Sequence, residues 1–176
     1  VAEDFIKHYE TRVAEGATVA GKAMFVCSNR NIAYDFYKIV KELRPEWTEK
    51  KICDDGVVLS EKDKKELKPM EKIKLVMTRN KDDEKDLFDM LGTKEDRKEF
   101  DRQFKNPKSN FKIAIVVDMW LTGFDVPELD TIYIDKPIQQ HTLIQTISRV
   151  NRVCEGKDKG LIVDYIGIKK NMNTAL

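Results

Sequence analysis

Phe111-Lys-Ile-Ala-Ile-Val-Val117, followed by Asp118-Met-Trp-Leu-Thr-Gly-Phe-Asp-Val-Pro127, decides how the rest of the chain is read. A short, near-continuous apolar run is what a strand buried on both faces requires, and parallel strands are the natural source of such burial. After it the chain turns from Asp118 to Pro127 and re-enters a strand at Thr131-Ile-Tyr-Ile134. The loop carrying Gly123 and Asp125 therefore stands at the carboxyl end of a central strand, where open α/β sheets take their ligands.

The flanking segments extend the same pattern. Val1, Phe5, Tyr9 and Val13 recur at near-helical spacing, which predicts an amphipathic helix over Ala2–Ala14, with no sign that it belongs to a sheet. A strand is expected at Ala23–Cys27, a helix at Asn31–Leu43, and a polar stretch from Arg44 to Lys72 whose charge run Glu61–Lys68 reads as a solvated helix or insertion. Strand Ile73–Thr78, helices Asp86–Leu91 and Lys94–Phe104, helix Gln140–Arg152 and strand Gly160–Asp164 complete the order. Strands alternating with helices predict a mainly parallel central sheet covered on both faces, a three-layer α/β/α fold. The expected organisation is a linker helix over 1–20, the α/β domain over 21–170 and a tail over 171–176.

Within the helix expected at Gln140–Arg152, Gln145, Arg149 and Arg152 stand at i, i+4 and i+7 and share one stripe, while Leu143, Ile147, Val150 and Cys154 fall on the opposite one. An apolar back would anchor the helix, leaving two planar, permanently charged guanidiniums and an amide in front, a set suited to phosphate oxygens. A solvated face with ordinary ion pairs is the competing reading.

The 32 basic and 31 acidic residues leave a net charge of +1, so any nucleic-acid contact must come from local patches rather than bulk charge. No apolar run approaches the roughly 20 residues of a membrane helix, and no signal-like segment opens the sequence. Cys27, Cys53 and Cys154 are odd in number and lack Cys-x-x-Cys spacing, which favours reduced thiols and a cytoplasmic protein with no cysteine-built metal site. His8 and His141 have no partner pattern and read as ordinary polar positions.

The motifs resemble those of the second RecA-like domain of superfamily 2 helicases and translocases. Gly123-Phe-Asp125-Val-Pro127 is similar to motif V, and Gln145-Thr-Ile-Ser-Arg149-Val-Asn-Arg152 to motif VI, with Ser148 where most members carry glycine. Val117 stands before Asp118 where many helicases have a threonine. The finer resemblance is to the motor (R) subunit of type I restriction endonucleases, through Gly21-Lys-Ala-Met-Phe-Val-Cys27 at motif IV, Met119 to Pro127 at motif V and Gly160-Leu-Ile-Val-Asp-Tyr-Ile-Gly167 after motif VI. It covers most of the chain from about residue 20 onward.

This resemblance implies one lobe of a two-lobed, ATP-dependent DNA translocase. ATP and Mg²⁺ would be held mainly by a first RecA-like lobe, with a nuclease domain in the same subunit and modification and specificity subunits as partners on double-stranded DNA. Gly16-Ala-Thr-Val-Ala-Gly21-Lys22-Ala23 mimics a phosphate loop, yet Ala23 has no hydroxyl for a metal and the order is helix, loop, strand instead of strand, loop, helix. By the resemblance, Arg152 would be the arginine finger, Arg149 would support the same phosphate and Gln145 would order the interlobe hydrogen bonds or the arginines. Asp125 would accept from the ribose or couple the nucleotide to motif VI, with a backbone-capping acid as the alternative, and Gly123 would make the tight turn. Ser28, Asn29, Arg30 and Thr122 are the expected nucleic-acid contacts, although Ser28 or Asn29 would serve equally as a helix cap. Trp120 is expected to pack, with stacking on a nucleic-acid strand as the alternative. A lobe of another superfamily 2 helicase and a non-enzymatic RecA-like binding module are the alternative readings.

Overall fold

The computed structural model describes residues 1–120, 125–150 and 160–165, with the side chains of Gln140 and Arg149 outside the description. Its helices are α1 (Ala2–Ala14), α2 (Arg30–Leu43), α3 (Glu61–Glu66), α4 (Lys85–Leu91), α5 (Lys94–Lys105) and α6 (Gln140–Val150). The strands are β1 (Lys22–Cys27), β2 (Ile73–Leu75), β3 (Ile113–Val116), β4 (Leu129–Asp135) and β5 (Leu161–Asp164). All pairings among them are parallel, in the order β2-β3-β1-β4-β5.

The continuous apolar runs follow from this arrangement, because the period-2 alternation of each strand sends successive residues into two different cores. Ala23, Phe25 and Cys27 of β1 join Ile113, Ile115 and Tyr133 under α1, α2 and α4. Met24 and Val26 join Ala114, Val116, Ile132 and Ile134 under α5 and α6. Where all six positions of a strand are buried, as in β1, a half-polar alternation would strand charge in one of the cores.

Element boundaries move for local reasons. β2 stops at Leu75, short of the expected Thr78, although Val76 N still donates to Ile115 O at 2.9 Å. β3 begins at Ile113 because Lys112 N and Ile113 N both donate to Lys72 O at 2.9 Å, which closes the ladder there. α2 starts at Arg30 because the Asn29 side chain caps it, accepting from Ile32 N at 2.9 Å. The charge run Glu61–Lys68 supplies α3, a helix with no buried residue whose start is fixed by the reciprocal Ser60/Asp63 capping box.

α1 lies on the sheet, which its amphipathic pattern alone had not indicated. Phe5 is fully buried, with its ring 4.7 Å from Tyr133 and 5.2 Å from Phe25, both edge to face. Polar contacts clip the same helix down: Tyr165 Oη donates to Asp4 Oδ2 at 2.8 Å, His8 Nδ1 lies 2.7 Å from Tyr133 Oη, and Tyr9 Oη donates to Gly21 O at 2.7 Å. His8 is thus a packing residue, its pKa lowered by burial and by the Arg12 charge. At Gly21, with φ of 68°, a Cβ would meet Tyr9 Oη at 3.1 Å, so glycine serves both the left-handed turn and the close approach of α1.

The Gly16–Ala23 segment connects α1 to β1 at the amino edge of the sheet, in the order expected for a segment that is no phosphate loop. Lys22 is 1 % exposed, donates from Nζ to Phe111 O at 2.5 Å and lies over the Phe104 ring at 5.1 Å. Val19 N points at Asp130 Oδ2, 3.2 Å away, a carboxylate where a phosphate cradle needs a free amide.

Candidate nucleotide and nucleic-acid edge

β1 and β3 are parallel and end at Cys27 and Val116, so Ser28 to Arg30, which follow the segment resembling motif IV, and Val117 to Trp120, which lead into the one resembling motif V, stand at one edge, and α6 follows β4 there. There, Ser28 Oγ donates to Asp135 O at 3.0 Å, tying the exit of β1 to the end of β4. Asn29 spends its amide oxygen on the α2 cap, the structural alternative raised for it, while its remaining amide group is on an exposed residue. Arg30 Nη2 contacts both carboxylate oxygens of Asp83, at 2.7 and 2.6 Å, and Nη1 donates to Thr78 O. Asp83 also accepts from Asn80 N at 2.7 Å. Burial works against its charge, but the bonds from Asn80 and Arg30 outweigh that and hold the carboxyl below its ordinary range.

Beside this pair lies a cleft of about 340 Å³ lined by Arg30, Val76, Met77, Thr78, Val117, Asp118 and Met119. Lys136 closes the neighbouring side by pairing with Asp118 and donating from Nζ to Val117 O at 2.9 Å. Asp118 is 85 % exposed and directed to solvent. Trp120, the next bulky residue, has φ of 69°, a left-handed backbone that a large side chain adopts only when its surroundings impose it. Its indole stacks on Phe104 at 5.4 Å and lies 6.4 Å from Phe111, so the expected packing role is what the contacts give. Sequence reasoning had no signal for the strain, since nothing local marks Trp120 as left-handed.

Asp125 is exposed, with Val126 buried behind it. In α6, Leu143 and Val150 are buried, Ile147 is half-buried and Gln145 is exposed, so the two-stripe division holds for the described side chains. Ser148 is exposed, and its hydroxyl turns back onto Ile144 O at 3.0 Å, which keeps the backbone open where a larger residue would cover it. Leu121 to Phe124, with Thr122 and Gly123, lie outside the described residues, as do Arg152, Cys154 and the Arg149 side chain. His141 is exposed on the same helix. Motif reading placed Arg30 here without its partner, because Asp83 is distant in sequence, and the same holds for Ser28 and Asp135. The Asn80-x-x-Asp83 turn was the available local signal.

The profile described as type I restriction enzyme subunit R domain 3 matches residues 19–167. The chain belongs to this family. It is 38% identical over 178 residues to the type I restriction enzyme HindI endonuclease subunit of Haemophilus influenzae, an alignment covering 99% of this chain and 15% of that relative. The R-subunit domain thus spans about a seventh of that relative's length. Among solved structures it is similar to a fragment attributed to an HsdR subunit of a type I restriction enzyme from Vibrio vulnificus YJ016, with a TM-score of 0.63 at 14% identity, covering 97% of this chain and 28% of that one. It is also similar to Mss116p DEAD-box helicase domain 2 bound to an RNA duplex, with a TM-score of 0.52 at 16% identity, covering 94% and 49%. The fold is therefore the RecA-like one of helicase second domains. No helix among the described residues is long and apolar enough to cross a membrane.

Proposed function

We propose that this R-subunit domain is the second motor lobe of an ATP-dependent DNA translocase in a type I restriction enzyme. The observation that carries the reading is the family match over residues 19–167, which contains the segments resembling motifs IV, V and VI. Arg152 is assigned as the arginine finger and Arg149 as its companion, with Gln145 ordering the interlobe contacts and Asp125 and Gly123 lining the nucleotide side of the loop. Ser28, Asn29, Arg30 and Thr122 form this lobe's part of the DNA track. A bound ATP supplies the phosphoryl group whose transfer drives movement. This chain's part is to bring guanidinium charge to the developing negative charge, while the magnesium and the phosphate cradle fall to the first lobe. Modification and specificity subunits and a nuclease domain of the same subunit would complete the enzyme in the cytoplasm.

Replacing Arg152 with Ala in the full-length protein tests this. DNA-stimulated ATP hydrolysis is expected to fall by about 10³-fold or more with DNA affinity retained, as for other arginine fingers. An unchanged rate would favour a binding module, and turnover by a clean preparation of residues 1–176 alone would contradict the half-motor assignment.

A further inference from the structure

We infer that Asp83 is a positioning residue that occupies, within the chain itself, the place of a DNA backbone phosphate on Arg30, so that the cleft beside it binds DNA only by exchanging that partner. The inference rests on the reading of this lobe as a DNA motor and adds the gate on its track.

Three observations lead to it. First, Asp83 offers Arg30 two oxygens at 2.7 and 2.6 Å from one nitrogen, a short charge-assisted contact of the kind that a phosphate also makes. Second, the carboxylate is held in advance. Asp83 N donates to Asn80 O at 3.1 Å and Asp83 Oδ2 accepts from Asn80 N at 2.7 Å, so the turn presents the anion without help from Arg30. Third, the guanidinium is anchored separately through Nη1 to Thr78 O, which leaves Nη2 able to change partner without Arg30 leaving the cleft wall.

The cleft has room for the exchange, at about 340 Å³, with Val76, Met77, Val117 and Met119 as walls. Its other charges cancel, because Asp118 is paired with Lys136. The Arg30 side chain is 29% exposed and that of Asp83 9%, so the guanidinium is the member of the pair that solvent and ligand can reach. With both cations matched by carboxylates of the same chain, this part of the surface carries little net attraction for DNA until Asp83 is displaced.

The test uses the full-length protein and a fluorescent 30-base-pair duplex, with affinity measured by anisotropy across a range of salt concentrations. Asp83→Asn keeps the turn's acceptor but removes the charge. It is expected to tighten binding by about two- to fivefold at low salt, the size of a partly exposed ion pair. It should also steepen the dependence of log affinity on log salt by about 0.9, one further phosphate contact. Both changes should vanish in an Arg30→Ala background, while Asp83→Glu should give neither. A purely structural Asp83 would lower thermal stability and leave the salt slope where it was. If Asp83→Asn fails to fold, Asp83→Ser, which keeps an oxygen for Asn80 N, carries the same test. Binding by Asp83→Asn that is no tighter than wild type overturns the gate. If Arg30→Ala weakens binding at the same time, the DNA-track reading survives without it. Absence of duplex binding by the wild-type protein overturns both.

Discussion

Truncating Phe5 to Ala removes the residue on which the docking of α1 depends, and the structure sets the size of the effect. The ring is fully buried, lies 4.7 Å from Tyr133, 5.2 Å from Phe25 and 5.5 Å from Phe36, and meets Trp47 edge-on at 6.4 Å. Burial of a Phe side chain contributes about 1.5–3 kcal/mol, and favourable aromatic pairs add about 0.5–1.5 kcal/mol beyond area. The vacated space lies between a helix and a rigid sheet, so it collapses poorly, which places the total in the upper part of the roughly 3–5 kcal/mol range for such truncations. For a domain of this size each kcal/mol moves Tm by about 2–4 °C, giving an expected fall of about 10 °C or more. Urea denaturation followed by circular dichroism, with Val13→Ala as a control at an exposed site of the same helix, measures it. A loss below about 1 kcal/mol, matching the control, would mean that α1 does not rest on this sheet and belongs with a neighbouring element.

A substitution and a chemical modification probe the interior. Burial first, and the nearby Lys112 charge second, depress the Lys22 pKa well below the ordinary lysine value, so the unfolded chain binds this proton more tightly than the folded one. The destabilisation is full below the depressed folded pKa and fades as pH rises towards the ordinary lysine range. Wild-type stability relative to Lys22→Met should therefore climb by up to about 1.4 kcal/mol per pH unit inside that window, and a flat difference between the two unfolding curves would refute it. Burial, with the Asp135 charge adding to it, pushes the Cys27 thiol up to about 12, so alkylation by iodoacetamide at pH 8 should spare Cys27 in the native state and reach it only on unfolding. Modification of native Cys27 at the rate of a free thiol would show that β1 opens readily.

The order of strands and helices was legible because double-sided burial writes itself into sequence as unbroken apolar runs, and 111–117 could hardly be read otherwise. Asn29 was legible as a cap for the same local reason. What escaped was information carried between distant segments. Phe5 and Tyr9 announce an apolar helix face but not the rings of Phe25, Phe36 and Tyr133 that receive it. Arg30 announces a cation after β1, yet its character depends on Asp83, which reaches it only because β2 and the turn after it fold alongside. The Gly16–Ala23 segment shows the reverse case. Element order already argued against a phosphate loop, and the structure adds that its lysine is consumed by Phe111 O in the interior.

The two edges of the sheet differ in how easily their polar groups can change partners, and this bears on where function sits. At the amino edge, Lys22 with Phe111 O, Tyr9 with Gly21 O and Asn110 with Met70 O are all buried hydrogen bonds. Breaking such a contact leaves a desolvated group unsatisfied, at a cost of about 1–3 kcal/mol and more for a charge. At the carboxyl edge, Arg30 with Asp83 and Lys136 with Asp118 each have a member open to solvent. A pair with a largely exposed member, such as Lys136 with Asp118, contributes about 0–1 kcal/mol, and the Arg30 guanidinium is the more reachable member of the other pair. Polar partners at the carboxyl edge are thus more accessible to solvent than those at the amino edge, whose buried bonds hold the starts of the strands together. That asymmetry agrees with the proposed function, which puts the working face at the carboxyl edge beside Ser28 to Arg30 and the end of β3.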